Sequence, residues 1–205
     1  METSLIKKFL RQIALIMTKE KDHLISEDSI VGDGDLGLTM SDGFNAAYKA
    51  IENSDQNDAG LLLYYSGKTM GSAVPSTMGT LMASGLMKAG KALRGKTDLN
   101  RIDIITLFSS FLEGVQHLGK AEEGEKTFID GFVPGLRALQ SSIDKPLKES
   151  AKAASKAANE GYLSTKGKIA IHGRAATRGE ASRKLLDPGA LVASYIMEAF
   201  YKSID

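Results

Sequence analysis

Apolar residues recur along this chain three and four positions apart, the spacing of helices that bury one face. Leu5, Phe9, Ile13 and Ile16 form one such stripe, and Ile105, Phe108, Leu112 and Val115 a second. Leu191, Tyr195 and Ala199, flanked by Val192 and Ile196, form a third. The stretch 145–158, KPLKESAKAASKAA, is rich in the strongest helix formers. No run of five or more residues shows the strict alternation of a half-buried strand. The pattern predicts eight helices, at 3–21, 36–52, 58–72, 76–94, 101–118, 127–141, 146–163 and 188–203. Asp58 ahead of Leu61, Ser76 or Thr77, and the pair Asp187-Pro188 are start signals, the last placing Pro in a first turn. Eight amphipathic helices with one apolar stripe each predict an all-α fold, a single-domain barrel or bundle over residues 1–205.

Three stretches interrupt the helical pattern: Ser26–Leu38, Lys120–Lys126 and Thr165–Gly189. In a helical protein such connections converge at the ends of the bundle, where functional groups collect. The third is long for a loop in a small domain, and its length suggests a lid that orders on a ligand.

Composition narrows the chemistry. Among 205 residues, 26 Lys+Arg face 25 Asp+Glu, a net charge of +1, which argues against a nucleic-acid binder working by phosphate neutralisation. There is no Cys, which excludes disulfides, thiolate metal sites and a Cys nucleophile. Lys7, Lys8 and Arg11 interrupt the first apolar stripe, so it reads as neither a signal peptide nor a membrane span, and a cytoplasmic protein without membrane partners is expected. His23, His117 and His172 lack metal-ligand spacing and read as structural, and Met78, Met82 and Met87 as core filler.

The densest chemistry lies in EDSIVGDGDLGLTM, residues 27–40. Asp28, Asp33 and Asp35 stand within eight positions and alternate with Gly32, Gly34 and Gly37, so the backbone can turn tightly enough to bring mutually repelling carboxylates together. Hard oxygen ligands without His or Cys suit Mg²⁺ or Ca²⁺. An EF-hand counted from Asp33 puts Phe44 where a bidentate Glu belongs. The G-x-G-x-x-G spelling has no preceding strand, and bare carboxylates would repel a pyrophosphate. With Mg²⁺ between them that objection reverses, and the N-terminus of the next helix adds to phosphate binding. The alternative is an Asp/Gly-rich turn that merely caps that helix.

Gly71–Thr80 is a small-residue stretch suited either to close approach of a ligand or to helix packing. Gly119–Thr127 reads as a solvated polar connection, and Gly173–Glu180 carries Arg174, a candidate phosphate contact.

Together, D-x4-D-x-D within GDGDLGLTM, GKAEEGEKTFID at 119–130, and GRAATRGE with DPGA between 173 and 190 resemble the L subunit of the bacterial dihydroxyacetone kinases over the whole chain. The resemblance implies a barrel of eight amphipathic helices binding ADP or ATP and two Mg²⁺ at one end. Matched residue by residue, it implies Asp28, Asp33 and Asp35 as Mg²⁺ ligands and Gly37, Leu38 and Thr39 as the helix start that meets the phosphates. It also implies Ala73 and Val74 near the nucleotide, and Gly119 and Phe128 around the adenosine. Arg174 matches a phosphate contact, and Asp187, Pro188 and Gly189 the last nucleotide-binding loop. It implies phosphoryl transfer to dihydroxyacetone held on a separate K subunit, with a third, phosphotransferase-system subunit as donor in one version. No nucleophile or base from this chain is implied. Leu36 stands where the family usually has His, Val74-Pro75 where Ser-Gly is usual, and Phe128 where Met is usual. The competing reading, to which Leu36 points, is a non-catalytic helical barrel that binds nucleotide or regulates, or a kinase subunit for another acceptor.

Overall fold

The computed structural model describes residues 4–204, and their regular elements are helices. They are α1 (Ser4–Lys19), α2 (Lys21–Val31), α3 (Leu36–Lys49), α4 (Ala59–Ala73) and α5 (Thr77–Ala92). After them come α6 (Arg101–Gly119), α7 (Phe128–Ser141), α8 (Leu147–Leu163), a 3₁₀ segment at Arg174–Lys184 and α9 (Pro188–Lys202). Thr3, the expected first position of the first helix, lies outside the described residues, as do residues 1, 2 and 205 of the expected domain.

Seven of the expected starts fall within one residue of the observed ones, and side-chain caps mark five of them, those of α4, α5, α6, α7 and α9. Asp58 accepts from the Leu61 N–H at 3.0 Å, Ser76 from Gly79 at 3.0 Å and Asp187 from Ala190 at 2.6 Å. Asn100–Asp103 and Thr127–Asp130 form full capping boxes at the starts of α6 and α7.

The expected break at Ser26 is displaced. The chain turns at Glu20 and runs helical again from Lys21 to Val31. This helix escapes periodicity because it buries only Leu24 and Val31, leaving no apolar stripe to read.

The helices close into a ring. α1 packs on α3 and α9, α3 on α4, and the order continues through α5, α6 and α7 to α9, with α8 against α7 and α9. The α4–α5 contact is close because Gly60 and Gly90 face each other's backbone, where any Cβ would collide. Inside the ring Phe9, Phe108 and Phe200 pack edge to face or tilted, and Phe132 stacks between Phe111 and Phe128 with centroids at 5.3 and 5.1 Å. The row of rings runs from the closed interior to Phe128, which reaches a cavity at one end of the barrel.

Residues 165–187, called the strap below, cross that end. Their 3₁₀ segment is kinked at Gly179, whose φ of 51° lies in the left-handed region. The strap is not free: Ala170, Ala175 and Leu185 pack with Val31 of α2 in a small apolar cluster, and Arg178 Nε donates to the Val31 carbonyl at 3.4 Å.

The polar connection before α7 is also more than solvated, contrary to the expectation from composition. Lys126 is 1% exposed and backbone left-handed at φ 62°. Its ammonium donates to the carbonyls of Thr165 (2.9 Å), Ser182 (2.8 Å) and Leu185 (2.5 Å), with that of Lys168 at 3.4 Å. Burial lowers its pKa from the ordinary lysine value, against the pull of Asp187 and Asp130.

Candidate functional site

Asp28 rides on the last turn of α2, and the Gly32 N–H closes that helix on the Asp28 carbonyl. Gly34 then reverses the chain at φ 76°, where a Cβ would collide with Ser29 Oγ, and α3 begins at Leu36. This helix–turn–helix corner sets the three carboxylates Asp28, Asp33 and Asp35 together, one oxygen from each lying within 4.8 Å of the others. Asp33 and Asp35 are exposed and Asp28 is half-buried.

Burial raises the pKa of Asp28 above the usual carboxylate range, and the Asp33 and Asp35 charges add to it. The Leu36 N–H, donating to Asp28 Oδ2 at 3.3 Å, offsets part of this. Among the described residues the cluster's cationic partner by ion pair is Arg174, whose Nη2 lies 2.7 Å from Asp33 Oδ2. Three carboxylates at that spacing, under-neutralised and open to solvent, fit a small hard dication.

The trio stands at the edge of a cavity of about 1070 Å³, within the range of small-molecule sites or slightly above it. One wall is apolar, from Met78, Leu81, Val115, Leu118, Phe128 and Ile129. The lining also includes His172, Gly173 and Arg174 of the strap, and the start of α9.

Of the residues expected at the site, Asp28, Asp33, Asp35, Gly119, Phe128, Arg174, Asp187, Pro188 and Gly189 all line this cavity, drawn from four separate stretches of chain. The other five lie outside its lining. Gly37 sits where α3 crosses α2, and a Cβ there would collide with the Lys21 carbonyl. Leu38 is 48% exposed, and Thr39 is buried with its N–H donating to the Asp35 carbonyl at 2.9 Å. Ala73 is the exposed last residue of α4 and Val74 its buried cap. The α4–α5 turn reaches the cavity one residue later, through Pro75, Ser76 and Thr77.

Two lining residues carried no clear signal. His172 Nε2 pairs with Glu125 Oε2 at 2.7 Å, and Glu125 is held below its usual pKa by the Glu122 N–H and by this partner. Lys126 lines the cavity with its stem while its ammonium serves the strap. The Thr127–Asp130 box was the available hint that the chain enters α7 at Thr127.

Asp187 is the most perturbed carboxyl. Burial and the nearby Asp130 charge push its pKa up to about 7, although the Ala190 N–H favours the ionised form.

An acidic trio, a facing arginine and an apolar pocket at the mouth of a helical barrel describe a site for a metal-bridged anion with an apolar head. The DAK2 domain model matches residues 30–202. The chain is 33% identical to the ADP-binding subunit DhaL of PEP-dependent dihydroxyacetone kinase 2 of Listeria innocua, over 100% of this chain and 98% of that one. It is 31% identical to the corresponding DhaL subunit of Escherichia coli, over 94% and 93%. It belongs to the DAK2-domain family, in the branch of the dihydroxyacetone kinase ADP-binding subunits. The fold agrees: the crystal structure of the C. freundii dihydroxyacetone kinase in complex with AMP-PNP and Mg²⁺ superposes with a TM-score of 0.75 at 22% identity. The match covers 98% of this chain and about a third, 34%, of that longer kinase.

Proposed function

We propose that this chain is the nucleotide-binding L subunit of a dihydroxyacetone-type kinase, holding ADP or ATP with two Mg²⁺ and passing a phosphoryl group to a ketose, dihydroxyacetone by family likeness, on a separate K subunit. The observation that carries the reading is the carboxylate trio, its oxygens within 4.8 Å of one another at the rim of the cavity. Near full-length similarity to proteins named as ADP-binding subunits supports it, as does the fold shared with a kinase crystallised with AMP-PNP and Mg²⁺.

On this reading Asp28, Asp33 and Asp35 hold the metal, which supplies charge neutralisation and a bridge to phosphate oxygens. Arg174, in contact with Asp33, meets the phosphates beside the carboxylates. The strap carries six basic residues against Glu180 and Asp187, so a polyphosphate is clasped between an acidic corner bridged by cations and a basic cover. The wall of Met78, Leu81, Val115 and Phe128 takes the apolar face of the nucleoside, with Gly119, Pro188 and Gly189 alongside. Gly37, Leu38 and Thr39, at the start of α3, act through the helix terminus, and Ala73 and Val74 by setting the Pro75–Thr77 turn. Positioning and electrostatics suffice for such a transfer, so no nucleophile or base is required of this chain.

The proposal includes one domain over residues 1–205 and a cytoplasmic place of work, supported by the charged residues inside the first helix. The phosphoryl donor is a phosphotransferase-system subunit, in keeping with the Listeria, E. coli and Lactococcus relatives named as PEP- or PTS-dependent. The test is titration calorimetry with Mg-ADP, followed by a transfer assay with a dihydroxyacetone-loaded K subunit. Binding by wild type, its loss in D33A/D35A and transfer to the ketose support the reading. Unchanged binding by the double variant overturns the site, and binding without transfer favours the non-catalytic barrel.

A further inference from the structure

The strap is the longest stretch of the described chain without α-helix, yet it carries Arg174, the cation that pairs with Asp33 of the acidic trio. The Arg174 side chain is 73% exposed on an irregular segment, so its position follows from where the segment is held. Besides the packing of Ala170, Ala175 and Leu185 on Val31 and the Arg178 contact to the Val31 carbonyl, the segment is held by a set of contacts to the loop before α7. Lys126 draws the carbonyls of Thr165, Ser182 and Leu185 around a single ammonium, joining both ends of the strap at one point. Lys168 Nζ reaches the buried Asp130 carboxylate at 2.6 Å, and the Ile171 N–H donates to the Glu125 carbonyl at 3.4 Å. The strap also gathers on itself: Ser182 Oγ accepts from the Ala170 N–H at 3.0 Å and donates to the Gly179 carbonyl at 2.6 Å.

Lys126 ties residues 165, 182 and 185 together at one point, beside the paired Gly167 and Arg183 (2.8 and 2.6 Å) and the Asp187 N–H on Thr165 Oγ1 (3.0 Å), and residue 174 lies in the arc between them. A carbonyl has no reason to point at the interior unless a donor is there, and these three converge on a donor 99–100% removed from solvent. Without the ammonium the Thr165 and Ser182 carbonyls keep only the N–H groups of Lys168 and Leu185, at 3.2 and 3.1 Å, and the Leu185 carbonyl loses its 2.5 Å contact, so the two feet of the arc lose the donor they share.

We propose that Lys126 is a positioning residue of the phosphate site: by pinning the two feet of the strap it holds the Arg174 guanidinium opposite the carboxylates of Asp28, Asp33 and Asp35. The inference rests on the function proposed above, but its structural half, the pinning of the strap, is testable without any nucleotide.

The first measurement is limited trypsin digestion of the ligand-free protein, reading cleavage after Arg174, Arg178, Arg183 and Lys184. Lys126→Met keeps the apolar stem and removes the donor; cleavage in the strap is expected to accelerate at least tenfold, with α1–α6 peptides unchanged. Lys126→Arg, which keeps a multi-donor cation, is expected to restore most of the protection. The second is a double-mutant cycle on Mg-ADP affinity. Lys126→Met and Arg174→Ala are each expected to weaken binding about tenfold, and together by little more than either alone. A purely structural lysine would give losses that multiply, to about a hundredfold. If Lys126→Met does not fold, Ser182→Ala loosens the same arc without touching the ammonium and is read in the same cycle. Multiplying losses, or a strap as protected in Lys126→Met as in wild type, overturn the proposal. If wild type itself binds no Mg-ADP while strap cleavage still depends on Lys126, the function is wrong and the pinning stands; the positioning role then falls with the function.

Discussion

Asp33 and Asp35, on one rim of the cavity, are exposed, crowded by a third carboxylate and neutralised by a single arginine. Lys126, Asp130 and Asp187, in the loop before α7, the first turn of α7 and the cap of α9, are buried, and each is engaged by the backbone around it. Asp130 alone closes the capping box of α7, accepts from the Gly124 N–H at 3.0 Å and pairs with Lys168. The difference separates two jobs that the same residue types perform. Charges that hold the protein together are satisfied by the protein, whereas charges kept unsatisfied at a solvent-facing edge await something from outside. The fold tolerates the acidic corner but depends on these buried charges.

The comparison is sharpened or broken by four substitutions. Asp130→Ala leaves the Lys168 ammonium, the Thr127 N–H and the Gly124 N–H without their shared acceptor. It is expected to cost about 3–5 kcal/mol in urea denaturation, the range for breaking a buried pair. A loss below about 1 kcal/mol would place Asp130 with the expendable charges. The D33A/D35A double variant is expected to do the reverse. Mg-ADP affinity should fall at least about a hundredfold, close to 2.7 kcal/mol, with a melting temperature equal to wild type or a few degrees higher as like-charge repulsion is relieved.

The third concerns pH. Asp187 has a folded pKa of about 7 against an ordinary value of 3.8, so between those values the folded chain binds a proton that the unfolded chain has released. Its contribution is therefore fully present below about pH 4 and is lost as pH rises through about 7. Relative to wild type, Asp187→Asn keeps an acceptor for the Ala190 N–H and should gain about 2–3 kcal/mol between pH 5 and pH 8 in the ligand-free protein. Parallel urea curves at the two pH values measure it, and a constant difference would show that the carboxylate is solvated or paired. The smallest effect is expected at Ser66, whose hydroxyl on α4 is fully buried without a hydrogen-bond partner. Ser66→Ala should stabilise by about 0.5–1 kcal/mol, from the removed unsatisfied group and the better helix propensity.

Legibility along the chain tracks the range of the interactions involved. The helices other than α2 were readable because each buries a stripe, and α4, α5, α6, α7 and α9 also start at a capping residue, both signals lying within a few positions of each other. The acidic trio was readable for the same reason: eight positions contain all three carboxylates and the glycine that turns the chain between two of them. α2 was not, since its helicity comes from lying against α3 and its own face is polar. Lys126 was not either, because its partners stand 39 to 59 residues further on. The flanking Glu122, Glu123 and Glu125 give its neighbourhood the look of a solvated turn. The Pro75–Thr77 turn was partly visible as a small-residue stretch, but which of its residues meets the cavity depends on where α4 ends.

By itself, then, the order of residues settled the helical class, most helix starts and the corner where negative charge is concentrated, since periodicity, caps and a short Asp/Gly run are local and act before any distant contact forms. Only the closed ring decided that four distant stretches share one cavity, that a lysine in a polar loop is buried, and that an aspartate capping α9 holds its proton near neutrality. Those properties follow from burial and from carbonyls or charges supplied by chain far away, which no local pattern encodes.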